Sequence, residues 1–271
     1  SDVDATVLDG SVIVNMLKPR PTVKTFADYA NDVFLPYIYS QLAPVSRVDV
    51  VWDQYESASI KCSARTKRGV ASRQQVSASA PVPSKWHDFL RSDENKTALF
   101  CFLAEQMCTR PVFMGKHLIG TIRNGVKSSL ETYDTSQLEP CDHEEADTRM
   151  LLHAADMVNV GFKRILLRTV DTDVVVLAVA FHQRLECDQL WLAFGTGQHL
   201  RYIPAHELAA GLGPQRFLAL PLFHALTGCD TVSAFVGRGK KTCWEVLKKF
   251  PEITDIFFEL FHTPICISDF C

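Results

Sequence analysis

The stretch RILLRTVDTDVVVLAVAF (164–181) decides how the fold is read. Its first eight residues, RILLRTVD (164–171), have the composition of a strand and close on Asp171, and the apolar run VVVLAVAF that follows Asp173 reads as a helix opening there. Working outward, HEEADTRMLLHAADMV (143–158) reads as the helix before that strand, with Ala146, Met150, Leu151 and Ala154 on its apolar side, and QLWLAF (189–194) reads as the next strand. Upstream, ATVLD (5–9) and RVDVVWD (47–53) read as two more strands, and Phe26, Tyr29, Ala30, Val33, Tyr37 and Ile38 mark a helix at 3.6-residue spacing between them. Strands alternating with helices predict an α/β fold with a mostly parallel central sheet flanked by helices. In HLIGTIRNGVKSSLE (117–131), Asn124-Gly125 between two short β-like runs predicts a hairpin. Residues 54–87, rich in Ser, Ala, Lys and Arg and closing on APVPS, break the rhythm and read as a protruding inserted segment. There is no internal repeat.

At 271 residues with 47% hydrophobic content, the chain can build one large α/β core or two small ones. A net charge of -3 excludes general attraction to nucleic acid, so any such binding needs a local basic patch. The nine cysteines contain no C-x-x-C pair and several lie in apolar runs, so they read as reduced core thiols and not as zinc ligands. No run approaches the ~20 apolar residues of a membrane span, and SDVDATVLDG (1–10) lacks the pattern of a secretory signal; a cytosolic or nuclear protein without membrane contact is expected. The sequence begins without Met and ends in apolar CISDFC (266–271), as expected of a piece of a longer protein.

Acidic residues punctuate these elements. Ligands and catalytic groups in an open parallel sheet collect beyond the C-terminal ends of strands, and Asp9, Asp53 and Asp171 each end a strand-like run. Packing does not explain three such ends, because the position costs desolvation and returns no core contact. Asp173 lies two residues past Asp171, and either residue could simply cap the helix. Glu144, Glu145 and Asp147 open a helix, where the macrodipole alone favours negative charge. Asp230 follows the apolar helix ending in HALTGC and could be a turn residue.

Taken in order, these segments resemble the nuclease core of the flap-endonuclease group within the PIN-like superfamily. TVLDGSVIVNML (6–17) is similar to its first acidic strand, VDVVWDQY (48–55) to its second, HEEADTRMLLHA (143–154) to its helix with paired acids, and RTVDTDVVVLA (168–178) to its D-x-D strand end. ALTGCDTVSAFVGRGKKTCWEVLKK (225–249) resembles its final G-x-D and helix-two-turn-helix, with Thr231 where an aromatic is usual and Asp147 where a Glu is usual. The resemblance implies a nuclease domain over 1–250, with an arch-like insertion at 54–87, a helix-two-turn-helix-like segment at 228–250 and a C-terminal extension at 251–271. It implies a site of Asp9, Asp53, Glu145, Asp147, Asp171, Asp173 and Asp230. Carboxylates so gathered repel one another until cations bind, and hard oxygen ligands favour a pair of Mg²⁺ or Mn²⁺ ions over Zn²⁺.

From Ser57 to His87 there is no acidic residue, while Lys61, Arg65, Lys67, Arg68, Arg73 and Lys85 are present. On a helix, Lys61, Arg65 and Arg68 would form one basic stripe, resembling the family's arch over a single strand; a solvated loop is the plain alternative. Gly237, Arg238, Gly239, Lys240 and Lys241 fit a hairpin that holds a duplex backbone. His143, His153, His182, His199, His206 and His224 show no ligand spacing, and the four Trp residues read as packing. The leading reading is a Mg²⁺-dependent, structure-selective nuclease acting on DNA more than RNA, with oligomeric state left open. The alternatives are a silent nucleic-acid or protein-binding module, and a haloacid-dehalogenase-like phosphatase using Asp171 and Asp173 in its D-x-D-x-V.

Overall fold

The computed structural model describes residues 3–55, 73–113, 115–142, 145–229 and 236–262. Among them are seven strands in one sheet, in chain order β1 (Ala5–Asp9), β2 (Arg47–Val51), β3 (His117–Ile122), β4 (Gly125–Ser128), β5 (Arg164–Thr169), β6 (Gln189–Phe194) and β7 (Arg201–Pro204). Their spatial order is β4-β3-β2-β1-β5-β6-β7, with the five inner strands parallel and the two edge strands antiparallel. From β1 the chain winds outward through β2 and β3, then returns and winds the other way through β5 and β6. The reversal falls between β1 and β5, the topological switch point at whose C-terminal strand ends open α/β sheets gather their ligands.

Helices cover both faces. Every residue of β1 and β2 is buried, as expected of central parallel strands. On one face Leu8, Val48 and Val50 meet α1 (Gly10–Met16), α2 (Phe26–Tyr29), α3 (Leu35–Leu42), α4 (Trp86–Phe89) and α5 (Asp93–Cys108), which contribute Ile13, Phe26, Leu35, Trp86 and Leu103. A π-helical stretch (Ala30–Phe34) joins α2 to α3. On the other face Val7, Val51, Ile165 and Leu192 meet α6 (Ala146–Asn159), α7 (Thr172–Leu185), α8 (Ala205–Leu212) and α9 (Pro214–Leu226), through Met150, Ala178, Ala209 and Phe217. α10 (Lys240–Lys249) and α11 (Pro251–His262) follow, and α11, though it begins in the expected C-terminal extension, packs against α9.

The predicted strands at 5–9 and 189–194 match β1 and β6, while β2 and β5 stop at Val51 and Thr169, two residues short of the terminal acids. The predicted hairpin exists one residue out of place. Ile122 pairs with Gly125, so the loop is Arg123-Asn124, with Arg123 at φ 52°, and Gly125 belongs to β4. A Cβ on Gly125 would stand 2.8 Å from Glu139 Oε2, the atom that accepts the Val126 amide at 2.7 Å. The glycine therefore makes room for a carboxylate, and the buried Arg149 of α6 holds the loop by donating to the carbonyls of Arg123 and Gly125.

The inserted segment also differs from expectation. Residues 56–72, with Lys61, Arg65, Lys67 and Arg68, lie outside the described residues, but 73–87 do not protrude. Ala80 and Ala78 carbonyls accept the amides of Phe26 and Ala27, the Lys24 carbonyl accepts the Val82 amide, and Trp86 is buried with its indole N–H on the Val14 carbonyl at 2.9 Å. These bonds supply partners for the first amides of α2, so this limb is a structural strap.

A charged cluster lies inside the sheet–α6 interface. Arg47 and Asp49, two apart on β2 and so on one face, are both fully buried and joined at 2.7 Å by two hydrogen bonds. Arg47 also meets Asp156 at 2.6 Å, and His153 Nδ1 lies 2.7 Å from Asp49. Tyr133 donates to Asp156 and accepts from Arg47. Burial pushes the Asp49 carboxyl up, but the Arg47 guanidinium and the His153 hydrogen bond overcome it and hold the group below the usual carboxylate range. Asp49→Ala leaves Arg47 buried with part of its charge unmatched, so a loss of about 3–5 kcal/mol is expected in urea unfolding at neutral pH. A loss below about 1 kcal/mol would show that Asp156 alone suffices.

Candidate metal centre

Carboxylates collect at the C-terminal ends of β1 and β5 because several elements begin or end there. Asp9 is the last residue of β1 and caps α1, accepting from the Val12 amide at 3.1 Å. Asp53 follows β2 by two residues and accepts from the Ser11 hydroxyl at 2.7 Å, the Tyr55 hydroxyl at 3.2 Å and the Ala146 amide at 3.0 Å. The last bond gives α6 its N-terminal cap from 93 residues away, and Glu145, at the cap position itself, provides no side-chain cap bond. Asp147 stands in the first turn of α6. Asp171 caps α7 by accepting from the Asp173 amide at 2.8 Å, and Asp173 lies in that helix's first turn.

The capping alternative thus holds for Asp171 and not for Asp173, Asp9 and Asp53 cap helices as well, and capping coexists with convergence. One carboxylate oxygen from each of Asp147, Asp171 and Asp173 falls within 4.8 Å of the others. Burial, followed by repulsion from Asp171, Glu145, Asp53 and Asp9, pushes the Asp147 carboxyl up to about 8. Burial and then the Asp53 charge push Asp9 up to about 7. Such a cluster is what a divalent cation would discharge, and all-oxygen donors suit Mg²⁺ or Mn²⁺. Asp230 lies outside the described residues; its neighbour Cys229 does not.

Four supporting groups carry no signal in a single sequence beyond their spacing. Ser11 follows Asp9 by two residues and reaches Asp53. Thr169 precedes Asp171 by two residues, donates to Asp9 at 3.4 Å and accepts the Asp171 amide at 3.0 Å, tying β1 to β5. His224, in the last turn of α9, places Nε2 2.8 Å from Asp173 Oδ1, and Cys229 Sγ completes a second group with Asp173 and His224 within 4.8 Å. Of the described cysteines, Cys108, Cys141 and Cys187 are buried, whereas Cys229 is half-buried and lies beside the carboxylates.

The basic residues divide. Arg73 is exposed and pairs with Glu94 at 3.4 Å on the surface. Gly237 occupies a turn at φ 71°, which an L side chain rarely adopts, whereas Gly239 has an ordinary φ of -73° at the start of α10. Arg238 and Lys241 are exposed. Lys240 is engaged within the fold: its ammonium donates to the carbonyls of His224 and Gly228 and to Thr227 Oγ1, closing the C-terminus of α9.

Raised carboxyl pKa values have a definite consequence for stability. Asp9 and Asp147 titrate higher folded than unfolded, so their protonated forms favour the fold; that contribution is complete below about pH 4 and is lost as pH rises through about 7 and 8. In chelator, the melting temperature should fall from pH 5 to pH 8.5. Asp147→Asn should flatten the fall. Relief of about 1.4 kcal/mol, the equivalent of one pKa unit, corresponds to about 3–5 °C for a domain of this size. Identical melting curves for both proteins across this range would mean that Asp147 is not under electrostatic strain.

No model of a known protein family matches the chain, and no curated protein matches it, so the chemistry rests on the residues themselves.

Proposed function

We propose that this chain is a divalent-metal-dependent, structure-selective nuclease of the PIN-like, flap-endonuclease type that hydrolyses phosphodiester bonds of DNA or RNA. What supports the reading is one observation: carboxylates that start from β1, β2, α6, β5 and α7 meet at the switch point of a doubly wound sheet, the place where such sheets put their chemistry. Asp147, Asp171 and Asp173 would hold a cation between them, and Asp9, Asp53 and Glu145 border that position through charge. A pair of Mg²⁺ or Mn²⁺ ions, when bound, supplies an activated water and stabilises the charge that develops on the phosphate.

The residues themselves prepare this. Asp9 and Asp147 carry protons over part of the neutral range, so cation uptake competes with protonation and strengthens with pH. The hydrogen bonds of Asp53 and Asp171 to helix amides fix their carboxylates before any cation arrives, reducing reorganisation at the reacting phosphate. Exposed Arg238 and Lys241 offer phosphate contacts that position a nucleic acid without reading its bases. A phosphatase built on Asp171 and Asp173 leaves Asp9, Asp53 and Asp147 without a role, although Asp171, Asp53 and Asp9 all raise the Asp147 pKa.

Labelled flap, hairpin and single-stranded DNA and RNA, offered with Mg²⁺, Mn²⁺ or EDTA, test this directly. Cleavage is expected with either cation and none in EDTA. Asp147→Asn should reduce turnover by at least about 10²-fold while the protein stays folded. Undiminished cleavage in EDTA would refute the metal-dependent reading. Mg²⁺ binding without cleavage of any substrate would favour a silent binding module.

A further inference from the structure

We propose that Asp173, His224 and Cys229 form a second cation position, chemically softer than the carboxylate cluster beside it and selective for Zn²⁺. The three side chains come from the first turn of α7, the last turn of α9 and the turn beyond it, and their ligand atoms all lie within 4.8 Å of one another. Metal–ligand lengths of about 2.0–2.3 Å put neighbouring ligands on a tetrahedral ion about 3.3–3.8 Å apart. To meet that, the 2.8 Å contact of His224 Nε2 to Asp173 Oδ1 would open by under about 1 Å, and Cys229 Sγ, within 4.8 Å of both, would close by at most about 1.5 Å.

Donor chemistry separates this position from its neighbour. An imidazole nitrogen, a thiolate and a carboxylate together match Zn²⁺ and its surrogate Co²⁺, while Mg²⁺ prefers oxygen alone. Ionised Asp173 and Cys229 with a neutral His224 carry two negative charges, which balance a divalent cation. Three protein ligands leave the fourth position open, as in catalytic rather than structural zinc sites.

The surroundings hold the ligands in place. His224 is nearly buried, with its side chain 11% exposed. Lys240 binds the backbone carbonyls of His224 and Gly228, and Thr227 donates to the Phe223 carbonyl at 2.7 Å, so the turn carrying His224 and Cys229 is fixed at both ends. Asp173 belongs to both ligand groups, so one carboxylate would bridge a hard and a soft cation. The bridging arrangement rests on the nuclease reading; the Asp173–His224–Cys229 position does not.

The test uses the full chain, stripped with chelator and titrated with Co²⁺ in excess Mg²⁺. One Co²⁺ per chain is expected, with a thiolate-to-cobalt charge-transfer band that Zn²⁺ abolishes on addition. Cys229→Ser should lose the band, His224→Ala should weaken Co²⁺ binding by at least about 10-fold, and Asp147→Asn should keep the band. Melting temperatures without metal establish that each variant is folded. No band in the wild type, a band that survives Cys229→Ser, or unchanged affinity in folded His224→Ala would overturn the proposal. A chain that binds Co²⁺ in this way but cleaves no nucleic acid with Mg²⁺ would uphold it while removing the nuclease reading.

Discussion

Arg47 and Asp49 of β2 share a fully buried ion cluster with His153 and Asp156 of α6. Two ions in a dry interface repay their desolvation only in close, fully bonded geometry, and this geometry exists for one placement of α6 against β2. A helix held by apolar contacts alone can slide by a fraction of a turn at small cost. One held by a guanidinium, two carboxylates and an imidazole cannot. The N-terminus of α6 carries Glu145 and Asp147 to the other carboxylates, so the ion cluster, on the inner half of the same helix, sets where those acids stand. Asp53, bonded to the Ala146 amide, then joins the end of β2 to the start of α6 a second time.

Electrostatic order and disorder are divided along that helix. At its inner half, opposite charges are paired; at its outer end, like charges are crowded, with Asp147 raised to about 8 and Asp9 to about 7. The first arrangement supplies rigidity and the second stores repulsion. A fold that tolerates the second must be stabilised elsewhere, and the apolar clusters on both sheet faces do this.

Much of this was legible in the sequence. β1 and β6 could be read residue by residue because their apolar runs end at acids or turns, and the placement of Asp9, Asp53, Asp147, Asp171 and Asp173 at element ends followed from the same punctuation. Other features were hidden for physical reasons. Arg47 and Asp49 look like ordinary polar residues of a half-exposed strand, and only the closure of α6 over them reveals a buried pair. The hairpin slipped by one residue because Asn-Gly is a local preference, while the fit of Gly125 against Glu139 is a tertiary one. That Lys240 bonds the open carbonyls at the end of α9 is a tertiary contact that its place in G-R-G-K does not announce. His224 and Cys229 lie close in sequence but about 50 residues from Asp173, too far for any spacing rule to connect them.

The π-helical stretch between α2 and α3 has a consequence for how chain length is fixed. A π turn admits one residue more than an α turn, so Ala30–Phe34 lets Phe26 and Tyr29 face the core on one side while Ile38 and Leu42 face it on the other. Removing one residue there would restore the tighter ladder and swing everything on one side of it by about 100°, one residue's turn of a helix. Phe26 and Tyr29 would then leave the aromatic contacts they make with Phe89 and Trp86, and the strap of residues 78–82 would lose the amides it binds. The helix thus tolerates changes of side chain more readily than a change in its count: its length is registered to the single residue, like a gear with one tooth that must not be filed away.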